Sequence, residues 1–137
     1  MKNLVILFST VFMSAGAMAL TTQEVWQHHI DAWVNRDLDA IVSDYDHSSV
    51  MILNNRVYKG QGEIREVFKN LFLIFDQGSN QITPATIEGR VIFITWRFTP
   101  IADRQYLGTD TFIIEKGKIK VQTIASDLYD RADFNFK

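Results

Sequence analysis

Tyr106-Leu-Gly-Thr-Asp-Thr-Phe-Ile-Ile114 reads as a β-strand, because β-branched and aromatic residues dominate it and successive side chains must alternate between two faces. Gly108, Asp110, Phe112 and Ile114 share one face; Leu107, Thr109, Thr111 and Ile113 share the other. Asp110 thus puts a carboxylate in a row of apolar or small residues. A carboxylate taken out of water must be hydrogen-bonded, paired or turned into a polar cavity. Asp110 is accordingly a candidate pocket acid, with a structural hydrogen-bonding residue or an edge-strand solubility residue as the alternatives.

Working outward, residues 90–98 and 118–125 have the same alternating character, and 82–88 is a shorter strand-like stretch. Gly89 and Gly117 fall where hairpin turns need a permissive backbone. Upstream the period changes. Trp26, His29, Ile30 and Trp33 recur at helical spacing behind a Thr21 or Thr22 cap, and Asp37 can cap a short second helix carrying Leu38, Ile41 and Val42. After a strand at 50–53, a polar turn at 54–56 and Lys59-Gly-Gln-Gly62, a third helix carries the stripe Ile64, Val67, Phe68, Leu71, Phe72 and Phe75. Helices gathered early and strands gathered late predict an α+β domain, with about three helices over one face of a curved antiparallel sheet. Both faces of that sheet carry apolar residues, yet there are helices for only one. A homodimer partner over the outer face is the expected cover.

The N-terminus reads separately. Lys2, the apolar run from Leu4 to Met18 and the small residues of Ala17-Met18-Ala19 form the pattern of a secretory signal peptide over residues 1–19, leaving 20–137 as one domain. Ser9, Thr10, Ser14 and Gly16 interrupt the run, so no stable membrane anchor is expected after cleavage, and the destination is the periplasm or the exterior. A formal net charge of −2 without blocks of like charge offers nothing to nucleic acid. The chain has no cysteine, which excludes disulfides and thiol chemistry.

Trp33-Val-Asn-Arg-Asp-Leu-Asp-Ala-Ile-Val-Ser-Asp-Tyr45, Ser49-Val-Met-Ile-Leu53, Tyr58-Lys-Gly60 and Glu63-Ile-Arg-Glu-Val-Phe68, followed by Gly108-Thr-Asp-Thr-Phe112 and Gly117-Lys-Ile119, resemble the nuclear transport factor 2-like superfamily, including its ketosteroid isomerase and SnoaL-like cyclase branches. The resemblance implies a cone-shaped domain with a cavity between sheet and helices, often paired through the sheet's outer face. It also implies that Asp110 stands where the isomerases keep a protonated acid, and His29 near their donor tyrosine. Their proton-shuttling carboxylate would fall near Leu53, which cannot take a proton, unless Asp44, Asp46 or His47 swings in.

His29 and Asp110 are therefore the candidate catalytic pair, with a neutral imidazole as base and the aspartate fixing its tautomer; the alternative is a structural core histidine. Trp26, Trp33, Phe68, Phe72, Trp96 and Phe112 would line an aromatic pocket, joined by Gln122 and by Tyr58 at its mouth. Arg97 either clamps an anionic ligand and neutralises Asp110 or, in the opposite strand phase, faces solvent or a dimer rim. His28 and His29 point about 100° apart on a helix and His47 lies beyond the second helix, so no metal is expected, and no cofactor. The functional expectation is an exported protein binding a small apolar molecule that carries a carbonyl or hydroxyl. A proton-transfer enzyme (isomerase, dehydratase or cyclase) in the same cavity and a non-catalytic interaction module are the alternatives.

Overall fold

The computed structural model describes residues 18–131. The signal-peptide reading, except for Met18 and Ala19, lies outside that range. Helix α1 (Thr22–Asn35) opens on a reciprocal cap: Thr21 accepts from the Glu24 amide, and the Glu24 carboxylate accepts from the Thr21 amide at 2.7 Å. It ends at Arg36, which takes a left-handed conformation (φ 55°) and turns the chain back. Asp37 then caps α2 (Leu38–Ser43), accepting from the Ala40 amide at 2.9 Å. Helix α3 (Gly60–Phe75) buries Ile64, Val67, Phe68, Leu71, Phe72, Ile74 and Phe75. Each large apolar side chain removed from water contributes about 1.5–3 kcal/mol, so this stripe, rather than helix propensity, fixes α3 on the sheet.

The sheet contains β1 (Val50–Leu53), β2 (Arg56–Lys59), β3 (Gly78–Ile82), β4 (Thr86–Glu88), β5 (Val91–Pro100), β6 (Tyr106–Glu115) and β7 (Lys118–Ser126). Its spatial order is β2-β1-β7-β6-β5-β3, with β4 pairing to the other end of β5. The domain is α+β; among the described residues there are three α-helices and a curved, unclosed sheet, followed by a 3₁₀ turn at Asp127–Asp130. Among the described residues no helix is long and apolar enough to cross a membrane.

Four local features differ from the pattern read in the sequence. The sheet is mixed, because β1 runs parallel to β7 while the other pairings are antiparallel. Asn54 holds that parallel end in register: its amide N–H donates to the Ile124 carbonyl, its side chain donates to the Ser126 carbonyl, and its side-chain oxygen accepts from the Ser126 amide. The turn read at 54–56 is tighter than expected; Asn54 at φ 49° lets β2 begin at Arg56. The stretch 82–88 is divided, since Pro84 has no N–H for the ladder, and β3 and β4 pair with separate parts of β5. Finally, a register shift at Ile113/Ile114 leaves Lys120 without a partner on β6 and turns Ile119 inward beside Gln122 and Ile124, breaking the simple alternation of β7.

Inside the cone, Ile92, Ile94, Trp96 and Phe98 of β5 and Phe112 and Ile114 of β6 face the helices. Outside it, Val57, Val91, Phe93 and Leu107 are exposed.

Candidate functional site

The strand reading of Asp110 leads directly to a buried polar network. Gly108 pairs with Trp96 across β5 and β6, and a Cβ at Gly108 would stand 2.0 Å from Cζ2 of the indole. The missing side chain therefore lets the Trp96 ring lie across β6. From there Trp96 Nε1 donates to Asp110 Oδ1 at 2.8 Å. Gln122, on the neighbouring β7, donates through Nε2 to Asp110 Oδ2, also at 2.8 Å. Its other end is fixed by the Tyr45 hydroxyl, which donates to Gln122 Oε1. Tyr45 is fully buried.

Burial pushes the Asp110 carboxyl up to about 6, because desolvation of the charged form outweighs the hydrogen bonds from Trp96 and Gln122 and the attraction of His29. Asp110 therefore changes charge near neutrality. Desolvation first, and then the carboxylates of Asp44 and Asp110, raise the Tyr45 phenol well above its ordinary value, so it remains a donor.

His29 comes from the opposite wall. Helical spacing puts it on the buried face of α1, where its ring meets Tyr45, Phe68 and Phe112 edge-on. Its Nδ1 donates to Asp44 Oδ2 at 2.9 Å, so the aspartate that fixes this imidazole is Asp44 and not Asp110. The sequence reading treats Asp44 as one residue of a polar turn that can swing inward. The structure makes it a buried residue closing α2, reached by α1 because the two helices fold back on one another. A neutral imidazole that donates from Nδ1 to a carboxylate keeps its lone pair on Nε2.

Both His29 and Asp110 line one cavity of about 40 Å³. Trp26, Trp33, Phe68, Trp96, Phe112 and Gln122 line it as well. Phe72 lies behind that wall, buried against Trp33 and Phe68. Tyr58 of β2 is half-buried, away from the cavity lining, and its buried hydroxyl has no hydrogen-bond partner. Arg97 does not reach the pocket. It follows the odd-numbered, outward phase of β5 with Val91, Phe93 and Thr95, and is exposed. Among the lining residues absent from the expected set is Asn80, whose Oδ1 is buried without a hydrogen-bond partner. It belongs to β3, which begins at Gly78, upstream of the strand-like stretch read from residue 82.

The aromatic rings leave little free space. At about 10–15 Å³ per water, 40 Å³ is room for about three waters, whereas pockets for drug-sized ligands run to about 300–1,000 Å³. Among the described residues no group of three or more His, Cys, Asp or Glu side chains is arranged to hold a metal ion.

A comparison of the sequence with protein families matches residues 26–122 to the SnoaL-like domain. The chain belongs to the SnoaL-like domain family. The match starts at Trp26 on α1 and ends at Gln122 on β7, so it takes in His29, Asp110 and the rest of the cavity lining except Ile124 and Tyr129. No curated protein matches the chain.

Solved structures similar to this SnoaL-like domain include a nuclear transport factor 2-like protein from Burkholderia thailandensis, with a TM-score of 0.67 at 18% identity, covering 79% of this chain and 92% of that one. A candidate SnoaL-like polyketide cyclase from Jannaschia sp. CCS1 gives a TM-score of 0.66 at 17% identity, covering 80% and 87%. A de novo designed protein with a curved β-sheet gives 0.61 at 12% identity, covering 75% and 82%. These likenesses establish the cone fold. That a designed protein shares it is a reminder that activity must be argued from side chains.

Proposed function

We propose that this SnoaL-like domain binds a compact apolar molecule carrying a carbonyl or hydroxyl group. The observation that carries this reading is the convergence of His29, Asp110 and the unpartnered Asn80 Oδ1 on one cavity with aromatic walls. A buried acceptor without a donor is costly, by about 1–3 kcal/mol, and a ligand hydroxyl reaching Asn80 would remove that cost. Trp26 and Trp33 provide flat apolar contact. The free volume sets a limit: a ligand larger than a few heavy atoms requires side chains of the wall to move aside.

A second reading, a proton-transfer enzyme in the same cavity, is favoured by the Asp44–His29 hydrogen bond. It fixes Nδ1–H, leaves Nε2 as a base, and sets that base beside an acid titrating near 6, an arrangement suited to moving a proton between two positions of one substrate.

Binding and turnover are separated by titrating a panel of small cyclic and linear ketones, aldehydes and alcohols into wild type, His29→Ala and Asp110→Asn, with heat and product both recorded. A carrier gives saturable heat without product. An enzyme gives product whose rate falls about 100-fold or more in the variants. No heat and no product from any compound would overturn both readings and leave a module that acts through its surface. Support for such a surface comes from Val57, Val91, Phe93 and Leu107 on the outer sheet face, and we propose that two copies pair there. Sedimentation tests it, since a monomer at micromolar concentration removes the pairing. Export after cleavage behind Ala19 rests on the sequence pattern, and intact-mass measurement of the cell-derived protein decides it.

A further inference from the structure

Asp44 is 4% accessible, and each of its carboxylate oxygens is held by a different imidazole: Oδ1 by His28 Nδ1 at 2.6 Å and Oδ2 by His29 Nδ1 at 2.9 Å. Two histidines adjacent in sequence share one buried carboxylate. We infer that His28 carries the positive charge that balances Asp44, and that it thereby leaves His29 uncharged, with a lone pair at Nε2 for the cavity. His28 is then a positioning residue: it lies outside the cavity lining and acts on the site through Asp44. The consequence for function rests on the proposed role of His29, whereas the distribution of charge does not.

A buried carboxylate requires either a proton or a counter-ion. Among the described residues, the two imidazoles are the ionisable groups in direct contact with the Asp44 carboxylate. On β7, Lys118 Nζ donates to the Ser43 carbonyl at 2.6 Å and Lys120 is paired with Asp46. On α1, Glu24 is taken up by the Thr21 cap and Asp31 accepts from Gln27. On α2, Asp39 is paired with Arg65 of α3. Tyr45 stays neutral, and Asp110 of β6 is a second anion on the far side of His29.

Two observations place the charge on His28. Its side chain is 43% accessible against 6% for His29, so water solvates a cation at His28, while a cation at His29 would be desolvated among aromatic rings. The contact from His28 is also the shorter of the two, as charge-assisted hydrogen bonds are. Asp110 is the competing pull, since its ionised form attracts a proton to His29. Two hydrogen bonds from neutral donors already address that carboxylate, which weakens the pull.

The test reads ring-nitrogen protonation by ¹⁵N NMR at pH 7 in the ligand-free protein, with wild type compared to His28→Gln and His28→Lys. In wild type both nitrogens of His28 should be protonated, and His29 should show one protonated nitrogen, Nδ1, and one unprotonated, Nε2. His28→Gln removes the exposed cation, and the unprotonated Nε2 signal of His29 should be lost as the charge moves inward. His28→Lys restores a fixed cation and should restore that signal, a rescue that a merely structural histidine would not give. The inference is overturned if wild-type His29 is doubly protonated, or if His28→Gln leaves it neutral. Because His28 is partly exposed, both variants should fold. The measurement needs neither ligand nor turnover, so a failed ligand screen and a failed charge assignment are separate results.

Discussion

Two buried carboxylates face the same histidine from opposite walls, and they are held by different kinds of partner. Asp44, at the end of α2, is bonded to two imidazoles, each of which can bring a proton and hence a charge. Asp110, in the middle of β6, is bonded to an indole and an amide, which can donate but never carry charge. Neutral donors soften desolvation without cancelling it, and the Asp110 carboxyl rises to about 6. Hydrogen-bond count does not distinguish the two acids, since each receives two. The capacity of the donor to ionise does, and it lets a salt-bridge pair stand behind the His29 wall of the cavity while the other wall holds an acid that switches near neutrality.

The largest test of this contrast is Asp44→Ala. Removing one partner from a buried charged cluster strands the others, and a loss of about 3 kcal/mol or more is expected in urea denaturation at pH 7. A loss under about 1 kcal/mol would mean that the imidazoles do not depend on Asp44.

The next effect is a pH dependence. The Asp110 carboxyl is raised from 3.8 to about 6 on folding, so the folded chain binds the proton more tightly than the unfolded one. Its contribution is fully present below about pH 4 and is lost as pH rises through about 6. Relative to Asp110→Asn, wild type should lose about 2–3 kcal/mol between pH 4 and pH 7. The asparagine can keep the Trp96 bond if Gln122 turns its amide over. Parallel stability curves for the two proteins would mean that Asp110 is not desolvated.

Gly108→Ala comes third. Its new methyl group would meet rigid indole atoms, and overpacking of this kind costs about 2 kcal/mol. The Trp96–Asp110 bond should break with it, moving the midpoint of the Asp110 titration upward. Arg97→Ala is the smallest change. From an exposed position on the outer sheet face it should alter stability by less than about 0.5 kcal/mol and leave the binding of any cavity ligand as it was. A tenfold fall in affinity would place Arg97 in communication with the pocket.

Much of this arrangement is legible in the sequence because it follows from local periodicity. The spacing of Trp26, His29 and Trp33 and the stripe from Ile64 to Phe75 give α1 and α3 their buried faces, and alternation through 106–114 puts Asp110 inside with Phe112. What escaped depends on geometry that no local period encodes. The parallel pairing of β1 with β7 is fixed by Asn54, far from β7 in the chain. Asp44 meets His28 and His29 only once α2 has folded back on α1; adjacent histidines on one helix and an acid closing the next are the trace it leaves in sequence. Asn80 is hidden because Gln77-Gly78-Ser79 has the composition of a turn, although Gly78 sits in β3 against the Thr99 backbone. Arg97 turns outward by strand phase, a phase set by its pairing with Leu107 and not by its own neighbours in sequence.

The indole lying over Gly108 gives the protein an optical gauge. Trp96 shares a hydrogen bond with a carboxyl that changes charge near pH 6, and it also forms part of the cavity wall. Its emission is therefore coupled to two events at once, the arrival of a proton on Asp110 and the arrival of a molecule in the pocket. With Trp26 and Trp33 replaced by phenylalanine, a fluorimeter could follow both in the protein without an added dye.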